Sequence, residues 1–117
     1  MNRYIVLYKA PISVAKRFAQ ATHEEAMVGL KMWIDWFQKL GPALLDPGKP
    51  LTNATRVTKE SISKIESPII GMSILQAVSL DAALAMVRDH HHLNWAEGTE
   101  IEVLEEMAIP EMAPSAQ

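Results

Sequence analysis

The 117-residue sequence contains no cysteine, which removes disulfides, thiol nucleophiles and thiolate-bound metals together. Glycine is scarce, with five in the chain, and none falls in a Gly-x-Gly-x-x-Gly, a Walker loop or a Gly-x-Ser-x-Gly setting. Nucleotide phosphates therefore have no glycine-rich cradle, and no nucleophile elbow exposes a serine. No apolar run approaches the roughly 18 residues of a spanning helix, so no membrane partner is expected. Basic residues are scattered, 11 against 14 acidic ones for a formal net charge of -3. Nucleic acid is not expected as a partner, because phosphate binding needs clustered Lys and Arg. The apolar stretch from Tyr4 to Tyr8 ends at Lys9, too short for a signal-peptide core and without a small-residue cleavage site. The expected location is the cytoplasm.

What is present describes an ordinary globular domain. Hydrophobic residues make up 49% and charged residues 21% of the chain, near the average for soluble proteins. A chain of this length buries roughly two thirds of the surface it exposes when unfolded, enough for a core without disulfides or a structural metal. One domain is expected over residues 1–109, with 110–117 as a flexible tail.

The pattern along the chain predicts an α+β fold. Tyr4 to Tyr8 is aromatic and β-branched, a buried strand. Ser13 to Ala21 has room for a short helical turn. Thr22-His23-Glu24-Glu25 has capping-box form, so a helix starts near His23. Ala26, Met27, Leu30, Trp33, Ile34, Phe37 and Leu40 then recur at helical spacing, and Gly41-Pro42 stops the helix. Ala43 to Asp46 reads as a short strand before the turn Pro47-Gly48-Lys49-Pro50. Thr55–Thr58 and Ile62–Ile65 flank a polar hairpin turn, and Ile69 to Val78 is the expected central strand. Ser79 can cap a second helix reaching about Asp89, and Thr99 to Met107 alternates as a half-buried last strand.

Strand, helix, strands, helix, strand, with chiral crossovers, gives a ferredoxin-like antiparallel sheet with two helices on one face. Because Ile69 to Val78 is apolar at odd and even positions, its second face needs a cover, and a homodimer supplies one economically.

Candidate site residues are few. His90-His91-His92 cannot aim at one ion, since successive side chains diverge on a helix and alternate on a strand, and no His-x3-His pair accompanies them. No metal and no cofactor are expected. Imidazoles at the end of the second helix, interacting with its last carbonyls, explain the run as well. Asp46 closes an apolar strand beside a tight turn. It either accepts a turn amide or orients a histidine as a general base, with His90 the candidate partner. Trp33 fits the apolar stripe as core. Trp36, on a neighbouring stripe, and Trp95 are either anchors of core or dimer or walls of a small-molecule pocket. Lys49 in the adjoining turn and His92 complete the candidate ligand-binding set. His23, in the cap, reads as a solvated first-turn residue, and Glu100, Glu102, Glu105 and Glu106 as a solvated face.

The segments Leu44-Leu45-Asp46-Pro47-Gly48-Lys49-Pro50-Leu51, Ile70-Gly71-Met72-Ser73-Ile74, Ala77-Val78-Ser79-Leu80-Asp81-Ala82-Ala83 and Glu100-Ile101-Glu102-Val103-Leu104-Glu105 resemble the YCII-related (YciI-like, DGPF) family over roughly residues 3 to 110. The resemblance implies a dimeric α+β barrel of ferredoxin-like subunits, small and cytoplasmic. Some members are proposed enzymes on the strength of a His-Asp pair in a cleft. His90 stands where many relatives carry the Asp of an Asp-Pro pair, and His91 where the proline would be. The first-helix histidine of the family falls near Leu30, and Glu66-Ser67-Pro68-Ile69 replaces the Asp-Gly-Pro-Phe signature. The resulting expectation is a homodimer binding a small polar metabolite near Asp46, His90 and Trp36, with His/Asp acid-base chemistry open. A structural or interaction module without catalysis is the alternative. Fold analogy alone adds a cofactor-free monooxygenase or isomerase.

Overall fold

A computed structural model describes residues 1–109; the tail expected at 110–117 lies outside the described residues. Strand β1 (Asn2–Lys9) leads through Pro11 into helix α1 (Ile12–Ala19), a fuller helix than the single turn expected there. Helix α2 (His23–Leu40) starts at the expected capping box. The Thr22 hydroxyl accepts from the Glu25 N–H at 3.1 Å and the Glu25 carboxylate accepts from the Thr22 N–H at 2.9 Å. Gly41 ends the helix at φ +56°, a conformation costly for residues with a Cβ.

Short strands β2 (Leu44–Asp46), β3 (Thr55–Val57) and β4 (Ile62–Lys64) precede the long β5 (Ile69–Ala77). Helix α3 (Leu80–Val87) is capped by the Ser79 hydroxyl, which accepts from the Ala82 N–H at 3.1 Å. It stops two residues earlier than the pattern suggested, because the His90 N–H tightens onto the Val87 carbonyl at 3.0 Å. A 3₁₀ turn, His91–Asn94, and strand β6 (Glu100–Glu105) complete the described chain.

The main sheet has the order β2-β5-β1-β6 with every pair antiparallel, and β3-β4 forms a separate two-stranded sheet. This α+β arrangement, with three helices, is compatible with a ferredoxin-like fold. No helix among the described residues is long and apolar enough to cross a membrane.

Alternation decides what each face meets. Tyr4, Val6 and Tyr8 of β1 and Ser73, Leu75 and Ala77 of β5 are buried, together with Val14, Trp36, Ala83 and Val87 from the three helices. On the other face Ile5 pairs with Ile74 and Leu104, and Leu7 with Met72. Those side chains are half-buried except Leu104, which is 45% exposed. An apolar band thus runs across the open face of the sheet.

The α2 stripe is corrected by the structure. Its first half stands clear of the sheet, with Ala26, Met27 and Leu30 exposed, and burial begins only at Trp33. Trp33 packs half-buried against the core, its ring 4.6 Å from Tyr8, but Trp36 is the more deeply buried indole, at 5% exposure, with its Nε1–H donating to the Met86 carbonyl at 3.4 Å.

Candidate functional site

The second half of α2, the end of β1 and the chain after α3 converge on one cluster of rings. Tyr8 lies at the buried end of β1, and its ring centroid is 4.6 Å from Trp33, 6.4 Å from Trp36 and 5.1 Å from His90. Trp33 and Trp36 approach His90 edge-on at 4.8 and 4.5 Å, and His91 stacks on His90 at 4.2 Å. Such T-shaped contacts are favourable beyond the area they bury.

Hydrogen bonds assign the protons in this cluster. The His92 backbone N–H donates to His90 Nδ1 at 3.0 Å, so Nδ1 is an acceptor and carries no proton. His90 is 1% exposed, and burial, with the neighbouring His91 and His92 charges secondary, pushes its pKa down to about 3. The ring is therefore neutral near pH 7, with its one proton on Nε2. That Nε2–H is buried and has no hydrogen-bond partner among the described residues. An unmet buried donor costs about 1–3 kcal/mol, so it calls for a physical role. His92 in turn donates its Nε2–H to the Lys9 carbonyl at 2.8 Å, and burial lowers its pKa. The imidazoles of His90 and His92 are thus committed to the 3₁₀ turn and to β1, rather than to the last carbonyls of α3.

A cleft of about 240 Å³ opens beside His90 and Trp36, lined also by His91, Asp35, Lys39 and Asp89. Asp35, Lys39 and Asp89 enter no ion pair among the described residues. A larger hollow of about 510 Å³ lies between α1 and the segment before β3. Its walls are mainly aliphatic, and its two charged groups, Lys16 and Glu66, pair with each other at 3.2 Å. The smaller cleft is where polar groups converge.

The sequence-derived residues separate into two places. His90 and Trp36 share the cleft, and His92 supports them from behind. Trp95 is 45% exposed and packs on Phe18 at 5.6 Å and on His92 at 5.9 Å, away from the cleft lining. Asp46 and Lys49 lie along the outer edge of β5. The Asp46 carboxylate accepts from the Gly48 N–H at 2.8 Å, the turn-forming role, and it makes no hydrogen bond to His90. A chain of bonds links the two places instead: the Tyr8 hydroxyl donates to Ser73 Oγ at 3.0 Å, and Ser73 donates to the Pro47 carbonyl at 2.7 Å.

Tyr8, Asp35, Lys39 and Asp89 were not foreseen. Asp35 and Lys39 are four apart and flank Trp36, which is a legible spacing. Tyr8 had no such signal, since the run Tyr4 to Tyr8 is apolar throughout. Burial pushes the Tyr8 hydroxyl well above its usual pKa, so it stays a donor. Replacing Tyr8→Phe leaves Ser73 its bond to Pro47 and is expected to cost about 1–2 kcal/mol in urea denaturation, with the fold retained.

Among the described residues, no three His, Asp or Glu side chains are placed to hold a metal ion. No family model matches the chain, and comparison with curated proteins found no match.

Proposed function

We propose that the protein is a cytoplasmic homodimer, related to the YCII family as a dimeric α+β barrel, that binds a small polar metabolite in the cleft beside His90. The observation that carries this reading is the buried, neutral His90 imidazole among the residues lining the cleft, whose Nε2–H has no partner among the described residues. Such a donor selects a ligand oxygen, a carbonyl or a carboxylate, while Asp35, Asp89 and Lys39 at the same cleft suit the polar remainder. At about 240 Å³ the space suits a ligand smaller than a typical drug. With Nδ1 already accepting from the His92 N–H, His90 is arranged as a donor and not as a base. The apolar band of Ile5, Leu7, Met72, Ile74 and Leu104 supports a partner chain on the open face.

The interaction-module reading has its own support, since His90 also caps the 3₁₀ turn through Nδ1. The variant His90→Asn separates the two: its side-chain oxygen can still accept from the His92 N–H, but it lacks the distal donor. Acetate, pyruvate and benzoate are titrated into both proteins while thermal stability is followed. The expected result is a saturable rise for the wild type, about 2.7 kcal/mol at a hundred times Kd, and none for His90→Asn. Equal responses, or no response to any of them in either protein, would remove the ligand-binding reading and leave the turn cap as the role of His90.

A further inference from the structure

The hairpin β3-β4 presents a problem the rest of the fold does not. All six of its strand residues are exposed, and Val57 and Ile62, directly opposite each other, are 71% and 74% exposed. Its register is nevertheless complete, Thr55 to Lys64, Arg56 to Ser63 and Val57 to Ile62, and its turn is closed by the Ser61 N–H donating to Thr58 Oγ1 at 3.1 Å. A two-stranded hairpin alone in water is marginal at best, so an ordered one needs a surface to lie on.

Its stem fixes where it leaves the body. Pro50 bridges to Gly71, the Leu51 N–H donates to the Ile70 carbonyl at 2.9 Å, and the Ile65 N–H donates to the Ala54 carbonyl at 3.1 Å. These contacts hold the chain along the outer side of β5, the same edge as β2, and the hairpin projects beyond them.

We infer that the hairpin is an intersubunit arm that lies along the β6 edge of a second copy of this chain. The inference rests on the homodimer proposed above. Among the described residues β6 pairs only with β1, which leaves its outer backbone groups open there, and it exposes Leu104 at 45% beside the apolar band. The charges match. The arm carries Arg56, Lys59 and Lys64 against one carboxylate, Glu60, whereas β6 carries Glu100, Glu102 and Glu105. Glu102 is taken by Lys9 at 2.8 Å, but Glu100 and Glu105 enter no ion pair among the described residues, nor do the three arm cations. Two sheets stacked through their open faces about a two-fold axis along the strands place the β2 edge of one over the β6 edge of the other. That is the side from which the arm departs. Val57 and Ile62 then meet the Leu104 side of the partner, and the cations meet Glu100, the free carboxylate on that side.

The absence of cysteine makes the test direct. Val57→Cys and Leu104→Cys chains are mixed and treated with a short bifunctional maleimide, alongside each variant alone. A mixed cross-linked dimer, well in excess of either self-linked product, is the expected outcome. Sedimentation equilibrium on a Val57→Asp, Ile62→Asp chain should show the dimer Kd raised at least tenfold, with an unchanged far-UV spectrum. A wild-type dimer that gives no mixed cross-link and whose Kd is unaffected by the two substitutions overturns the arm while leaving the homodimer standing. A wild-type chain that sediments as a monomer at high concentration overturns both. Cross-linking within a single chain carrying both cysteines at high dilution would place the arm on its own β6 and overturn the exchange.

Discussion

Lowering the pH from 7.5 to 5 is expected to destabilise the protein by about 2 kcal/mol through His90 alone, a fall in Tm of roughly 8 °C for a chain of this length. His90 is held at a pKa of about 3 in the folded state, against 6.5 when unfolded. Between those values the unfolded chain takes up a proton that the folded chain refuses, so stability is complete above pH 6.5 and drains away as pH falls toward 3. Burial lowers the pKa of His91 and His92 as well, which adds to the loss with the same sign. The cause is structural: protonation would put a charge among Tyr8, Trp33 and Trp36 and place a proton on the Nδ1 that accepts from the His92 N–H. Urea melts at half-unit pH steps measure the slope directly. In His90→Asn most of the slope should disappear. A wild-type profile flat from pH 7.5 to 5 would mean that His90 titrates in the fold as it does in the unfolded chain.

Gly48→Ala is expected to cost about 4 kcal/mol, the largest effect of any single substitution considered, from two sources that add. Gly48 has φ +74°, where a Cβ is strained by about 1–2 kcal/mol. A Cβ there would also sit 1.6 Å from the Met72 carbonyl oxygen and 2.7 Å from its carbon, and this neighbour is backbone of the central strand. Relief requires the turn to lift away from β5. That would loosen the Asp46–Ile74 pairing, the Ser73 bond to Pro47 and the Pro50–Gly71 bridge in turn. Asp46→Ala removes only the carboxylate that accepts from the Gly48 N–H and should cost about 1 kcal/mol. Equilibrium denaturation of both variants makes the comparison, and a Gly48→Ala loss no larger than that of Asp46→Ala would contradict the close approach. Because the same turn anchors the stem of the hairpin, Gly48→Ala should also weaken any dimer that depends on the arm.

These two residues illustrate how differently the fold and the site could be read. Pro47-Gly48 was legible as a turn, and Asp46 as its hydrogen-bonded opener, because turn chemistry is local: a carboxylate, a proline and a φ-positive glycine act within three residues. The His90 environment is not local. Its acceptor role comes from a neighbour two residues on, but its burial comes from β1 and from a helix more than fifty residues away.

The element order, both helix caps, the polar hairpin and the place of Ile69 to Ala77 inside the sheet were determined by the sequence alone. Capping hydroxyls, glycine stops and hydrophobic period all act over a few residues and survive without tertiary context. Tertiary structure decided which indole is the more deeply buried, since Trp33 and Trp36 are only about 60° apart on a helix and a small rotation exchanges them. It likewise decided that Asp46 and His90 serve different parts of the molecule, and that Asp35, Lys39, Asp89 and Tyr8 gather around the imidazole. Those are questions of how elements meet. Helix rotation and sheet register answer them, and neither is written in any single stretch of the chain.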